Sequence, residues 1–140
     1  MFETNQTDFF ENYTDLIGTR ILVAEDNALN QLIARKILEK WQVQFDIVDN
    51  GLIAFEKARE NSYDIILMDI QMPVLNGFES SLKIREFEQD RTSKTPILAL
   101  TASVTDDLHE MVHHSGMNGY ILKPYTSAIL HDTILKTLRA

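Results

Sequence analysis

The stretch DIILMDIQMPVLNGFE, residues 64–79, decides the fold. Its opening, DIILM at 64–68, is nearly all apolar. Short unbroken apolar runs mark strands that are covered on both faces, as in a parallel sheet. An acid, Asp69, stops the run, and the turn MPVLNG follows at 72–77. A helix is expected from about Gly77 to Phe87, with Phe78, Leu82 and Phe87 turned inward.

The same order of strand, polar residue and helix recurs on either side. RILVA at 20–24 reads as a strand ended by Glu25-Asp26, and Leu29, Leu32, Ile33, Ile37 and Leu38 then share one helical stripe. QFDIVD at 44–49 reads as a strand, Asn50-Gly51 as a turn and 52–61 as a helix. Further on, ILAL at 97–100 is a strand ended by Thr101, and a helix over 105–115 is closed by Gly116. A short strand at 119–122 leads into Lys123-Pro124, and the last helix, about 126–138, presents Ile129, Ile134, Leu135 and Leu138. Five strands alternating with five helices through short loops predict a doubly wound α/β sandwich around a parallel sheet.

Composition sets the outer limits. A chain of 140 residues suits one core. Residues 1–18 carry acids and no Lys or Arg and read as an extension or linker, leaving 19–140 as the domain. Phe9, Phe10, Tyr13, Leu16 and Ile17 recur there at helical spacing, so part of the extension is expected to pack on the domain. The lack of Cys excludes disulfides and thiolate zinc sites. A net charge of −8 argues against nucleic-acid binding by this domain. No apolar run approaches the roughly 18 residues of a membrane span, and the start lacks a signal-peptide pattern. A cytoplasmic domain without direct membrane insertion is expected, whether or not a longer parent protein is membrane-attached. The four His are expected on the surface.

The strand ends carry the chemistry. Glu25, Asp26, Asp69, Thr101 and Lys123 close four separate strands. In an open parallel sheet the carboxyl edge is where ligands bind, at the point where strand order reverses. Clustered carboxylates repel one another unless a cation intervenes, and oxygen donors alone suit Mg²⁺, with Mn²⁺ a near equivalent.

Four segments, ILVAEDNALNQ at 21–31, DIILMDIQMPVLNGFE at 64–79, ILALTA at 97–102 and GMNGYILKPY at 116–125, resemble the receiver domain of two-component response regulators and hybrid sensor kinases. The resemblance covers about 20–138 and leans toward the hybrid-kinase receivers. It implies a flavodoxin-like sheet in the order 2-1-3-4-5 and phosphorylation of Asp69. Glu25 and Asp26 would hold Mg²⁺, Asp26 the more directly, together with Asp69 and the backbone carbonyl of Gln71. Lys123 would contact the carboxylate and then the phosphoryl group. Thr101 and Tyr120 would be the coupled switch residues, and the Lys123-Pro124 bond would be cis. The implied donor is phosphohistidine on a histidine kinase, in the same chain or another, or on a histidine phosphotransfer protein.

Gln71 and Ser103 fill the variable positions two residues after Asp69 and Thr101. Neither is acidic, so fast self-dephosphorylation is not implied and any turnover should be slow. Gln71 also argues against a dehalogenase-type phosphatase, which needs a second acid at that place. The alternative is a degenerate receiver that only binds a partner. A monomer is expected.

Overall fold

The computed structural model describes residues 13–140. Its elements in chain order are β1 (Arg20–Ala24), α1 (Ala28–Lys40), β2 (Gln44–Val48), α2 (Gly51–Glu60), β3 (Ile65–Asp69), α3 (Gly77–Phe87), β4 (Ile97–Thr101), α4 (Leu108–His114), β5 (Gly119–Leu122) and α5 (Ser127–Arg139). The five strands are all parallel and lie in the order β2-β1-β3-β4-β5, the arrangement expected.

The strands alternate between two cores, which explains why the central ones read as continuous apolar runs. Ile21, Val23, Ile65, Leu67, Leu98 and Leu100 face one layer, with Ala34, Ile37, Leu38 and Trp41 of α1 and its end and Leu130 and Ile134 of α5. Leu22, Ala24, Ile66, Met68, Ile97 and Ala99 face the other, with Ala54 of α2, Ile84 of α3 and Leu108 and Val112 of α4. A strand residue of either parity therefore meets a helix layer, and polar alternation has no place in β1, β3 or β4. Truncating any of these large side chains to Ala should cost on the order of 2–5 kcal/mol.

Helix starts follow from their caps. Asn27, Asn50 and Thr126 accept from backbone N–H groups three residues on, and Asn76 forms a reciprocal capping box with Glu79. α4 lacks a side-chain cap and begins at Leu108, later than the expected 105. Thr105 instead donates its hydroxyl to the Asp107 carboxylate at 2.7 Å, which draws off the oxygen that would have capped the helix.

Several inward assignments are corrected. Leu29 and Leu32 are 65% and 47% exposed, because α1 turns Ala34, Ile37 and Leu38 to the core instead. Leu82, Phe87 and Ile129 are exposed as well, and Ile84 and Leu130 take the inward places. His109, His113 and His114 are exposed as expected, but His131 is buried. Its ring stacks on Tyr13 with centroids 3.7 Å apart and lies edge-on to Trp41. Nε2 faces Asp15 Oδ1 at 2.6 Å, and Nδ1 faces Asp132 Oδ1 at 3.3 Å. Leu16 is itself a core residue, so the chain before β1 is tied to α5. Ile17, also expected to pack, is 55% exposed, and Phe9 and Phe10 lie outside the described residues. Among the described residues no helix is long and apolar enough to cross a membrane.

Candidate functional site

Four adjacent strand ends, those of β1, β3, β4 and β5, converge because β1 lies between β2 and β3, while β4 and β5 continue from β3. The crevice left at the carboxyl edge is a cleft of about 470 Å³. Glu25, Asp26, Asp69, Gln71, Thr101 and Lys123 all line it. Every residue anticipated for the chemistry, Tyr120 excepted, therefore meets in one place.

The turn after Asp69 is shaped by close backbone approaches. A Cβ on Gly77 would lie 2.4 Å from the Asp69 carbonyl oxygen, and one on Gly51 would lie 2.2 Å from that of Leu75. Only glycine lets α3 start directly behind the end of β3 while α2 braces the turn. Val74, in the same turn, has φ 69°, an unfavourable conformation for a β-branched residue.

Lys123 is the centre of the charge network. Its Nζ lies 3.1 Å from Glu25 Oε1 and 3.1 Å from Asp69 Oδ2. The Lys123-Pro124 peptide is cis, as the resemblance implied. Glu25 Oε2 accepts the Asn27 N–H at 3.1 Å, and Asp69 Oδ1 accepts the Gln71 N–H at 3.1 Å. Both carboxylates are buried, whereas Asp26 is exposed to the cleft. Glu25 thus has both oxygens engaged by protein donors, and the Asp26 carboxylate is the more open of the pair.

Proton affinities reflect this crowding. Burial raises Glu25 above its ordinary value of 4.5; the Asn27 N–H and Lys123 pull it down and the charge of Asp69 pushes it up, with a net rise. Burial pulls Lys123 down, but the hydrogen bond to Glu25 and the charge of Asp69 outweigh that and raise it. Tyr125 is pushed up to about 12, first by burial and then by the Glu25 and Asp69 charges.

Ligand oxygens of Glu25, Asp26 and Asp69 all lie within 4.8 Å of one another. Three carboxylates against one ammonium leave excess negative charge, and hard oxygen donors match a hard divalent cation. The donor set fits Mg²⁺ on its chemistry.

Thr101 is buried at the cleft floor, donating its hydroxyl to the Ser103 carbonyl at 2.8 Å and accepting the Ser103 N–H. Tyr120 stands on β5 away from the cleft lining, half-buried, with the His109 ring edge-on at 5.5 Å. Gln31, which no motif marks as a site residue, donates its side-chain amide to the Glu25 carbonyl at 2.6 Å. Asn30 and Asn27 of the same loop and helix start also line the cleft.

Comparison with known proteins gives the family. Residues 21–135 match the response regulator receiver domain. The chain is 36% identical over 126 residues to hybrid signal transduction histidine kinase I of Dictyostelium discoideum, covering 86% of this chain and 7% of that kinase. It spans a small part of the curated relatives it matches. Among solved structures, the receiver domain of sensor histidine kinase PA1611 from Pseudomonas aeruginosa, with a magnesium ion in its active-site cleft, has 34% identity and a TM-score of 0.79. That match covers 88% of this chain and 99% of the other. The Saccharomyces cerevisiae receiver of Ssk1, solved with the histidine phosphotransfer protein Ypd1, has 31% identity and a TM-score of 0.81, covering 86% and 89%. This chain belongs to the receiver-domain family of two-component systems, and its curated relatives include hybrid histidine kinases.

Proposed function

We propose that the chain is a phosphoacceptor module in a two-component phosphorelay, taking a phosphoryl group from phosphohistidine onto Asp69. The observation that carries this reading is Lys123 bridging Glu25 and Asp69 at 3.1 Å each, beside the open carboxylate of Asp26. Glu25, Asp26, Asp69 and the Gln71 carbonyl would hold Mg²⁺, with Mn²⁺ able to substitute. The cation, when bound, supplies charge neutralisation to the carboxylate cluster and to phosphoryl oxygens.

Asp69 attacks as the carboxylate. A P–O bond forms to its oxygen while the P–N bond of the donor imidazole breaks, and the nitrogen keeps the electron pair. Charge gathers on the equatorial phosphoryl oxygens. The Lys123 ammonium passes from the carboxylate to one of these oxygens, and the Gln71 N–H, already aimed at Asp69, donates nearby. The Thr101 hydroxyl then leaves the Ser103 carbonyl and turns toward the phosphoryl group, and Tyr120 moves inward against β4. Both shifts change the α4–β5–α5 face and its affinity for partners, as a population shift between two states.

The donor is a histidine kinase or phosphotransfer protein. An apolar cleft of about 500 Å³, lined by Ile33, Ala102, Pro124 and Tyr125, adjoins the acidic one. It offers an apolar landing surface beside the mouth. The proposed receiver unit is 19–140, with 1–18 as an extension whose last residues pack on it. We place it in the cytosol, as part of a hybrid kinase.

The test is intact-mass measurement after incubation with Mg²⁺ and a small acyl phosphate donor. The protein should gain one phosphoryl group, and Asp69→Asn should gain none. An equal gain in the variant would refute the assignment.

A further inference from the structure

We propose that Gln31 is a positioning residue that holds the Glu25-Asp26 peptide in the geometry needed for cation binding. The inference rests on reading the cleft as a cation-assisted phosphoacceptor site, and it concerns a residue outside the acid cluster.

The β1–α1 connection is only Glu25, Asp26 and Asn27, yet it carries two of the three carboxylates. Glu25 is fixed at its backbone N–H, which donates to the Val48 carbonyl at 2.9 Å, and at its side chain by Asn27 N–H and Lys123. Its carbonyl belongs to the peptide that leads into Asp26. That carbonyl accepts the Gln31 Nε2–H at 2.6 Å, from one turn inside α1. Asp26 is exposed and its carboxylate has no protein donor among the described residues, so the orientation of this peptide is what aims it.

The helix start does not need Gln31. Asn27 already caps α1 by accepting the Asn30 N–H at 3.0 Å, and Gln31 N–H bonds the Asn27 carbonyl. The side-chain amide is thus an additional tie, from a helix anchored by Ala34, Ile37 and Leu38 to the loop that presents the acids. A rigid donor set binds more tightly because less ordering remains to be done on binding.

The test compares Gln31→Met, nearly isosteric but without the donor, with the wild-type protein. Calorimetric titration with Mg²⁺ should show about fivefold weaker affinity, equivalent to about 1 kcal/mol for one lost hydrogen bond. In the metal-free variant the Asn27 amide should exchange faster with solvent, while the melting temperature falls by only a few degrees, as one lost hydrogen bond allows. At saturating Mg²⁺ the phosphorylation rate with a small acyl phosphate should return to the wild-type value. Gln31→Leu should behave alike. Unchanged Mg²⁺ affinity, or a maximal rate that stays low at saturation, would overturn the positioning role. A wild-type protein that bound no Mg²⁺ would instead overturn the reading of the cleft itself.

Discussion

Glu25 and Asp15 are both carboxylates beside a basic side chain, and their proton affinities move in opposite directions. Glu25 lies 3.1 Å from Lys123 and is raised; Asp15 lies 2.6 Å from His131 and is lowered below 3.8. The difference is in the surroundings. Glu25 is buried, and Lys123 is shared with Asp69, whose charge adds to the cost of ionising it. Asp15 remains partly in water, and its largest influence is the hydrogen bond from His131. The first region is a buried cluster with more negative than positive charge. The second is a closed pairing in which each ring nitrogen of His131 faces a carboxylate oxygen. In the cleft the excess charge includes an open carboxylate, Asp26, that a ligand can reach; in the tie the two carboxylates close on one buried ring.

Breaking the tie should have the larger effect on stability. His131→Asn removes a buried ring stacked on Tyr13 and the partner of Asp15. Unfolding by urea should show a loss of about 2 kcal/mol. Its affinity for Mg²⁺ should be unchanged, since α5 carries none of the cleft carboxylates. An equal loss of Mg²⁺ affinity would mean that the two regions are not separate.

Acid titration should separate them by sign, with a smaller effect. Because Asp15 is lowered in the folded state, its contribution is present above 3.8 and is lost as pH falls through the folded value. Glu25 is raised, so the metal-free protein gains stability from it below 4.5 and loses that gain as pH rises through the folded value. Thermal unfolding over about pH 2 to 7 should therefore show Asp15→Asn reducing the acid-side rise in stability, and Glu25→Gln removing an opposing slope. Parallel shifts at all pH values would contradict both assignments.

The two regions also differ in how far the sequence disclosed them. The cleft was legible because each of its acids, its hydroxyl and its ammonium ends a strand, and parallel strands bring their carboxyl ends to one edge. β1, β3 and β4 were legible because covered strands leave no polar alternation. The His131 tie was not, since Asp15 and His131 lie 116 residues apart and no local pattern marks such a pair. Leu29 and Leu32 misled for a related reason: helical periodicity finds a stripe but not which of its residues the core covers. α4 was overextended because Thr105 competes for Asp107, a contact that helix propensity does not register. Gln31 was hidden because its partner is a backbone carbonyl, which any residue type supplies.

The most direct test of the contrast is the Mg²⁺ dependence of thermal unfolding in three proteins. Wild type should gain stability with Mg²⁺, by about 2.7 kcal/mol at ~100-fold excess over the dissociation constant. His131→Asn should melt lower but gain the same amount, whereas Asp26→Asn should gain almost nothing. Equal gains in wild type and Asp26→Asn would contradict the account of the cleft as a cation-binding phosphoacceptor site.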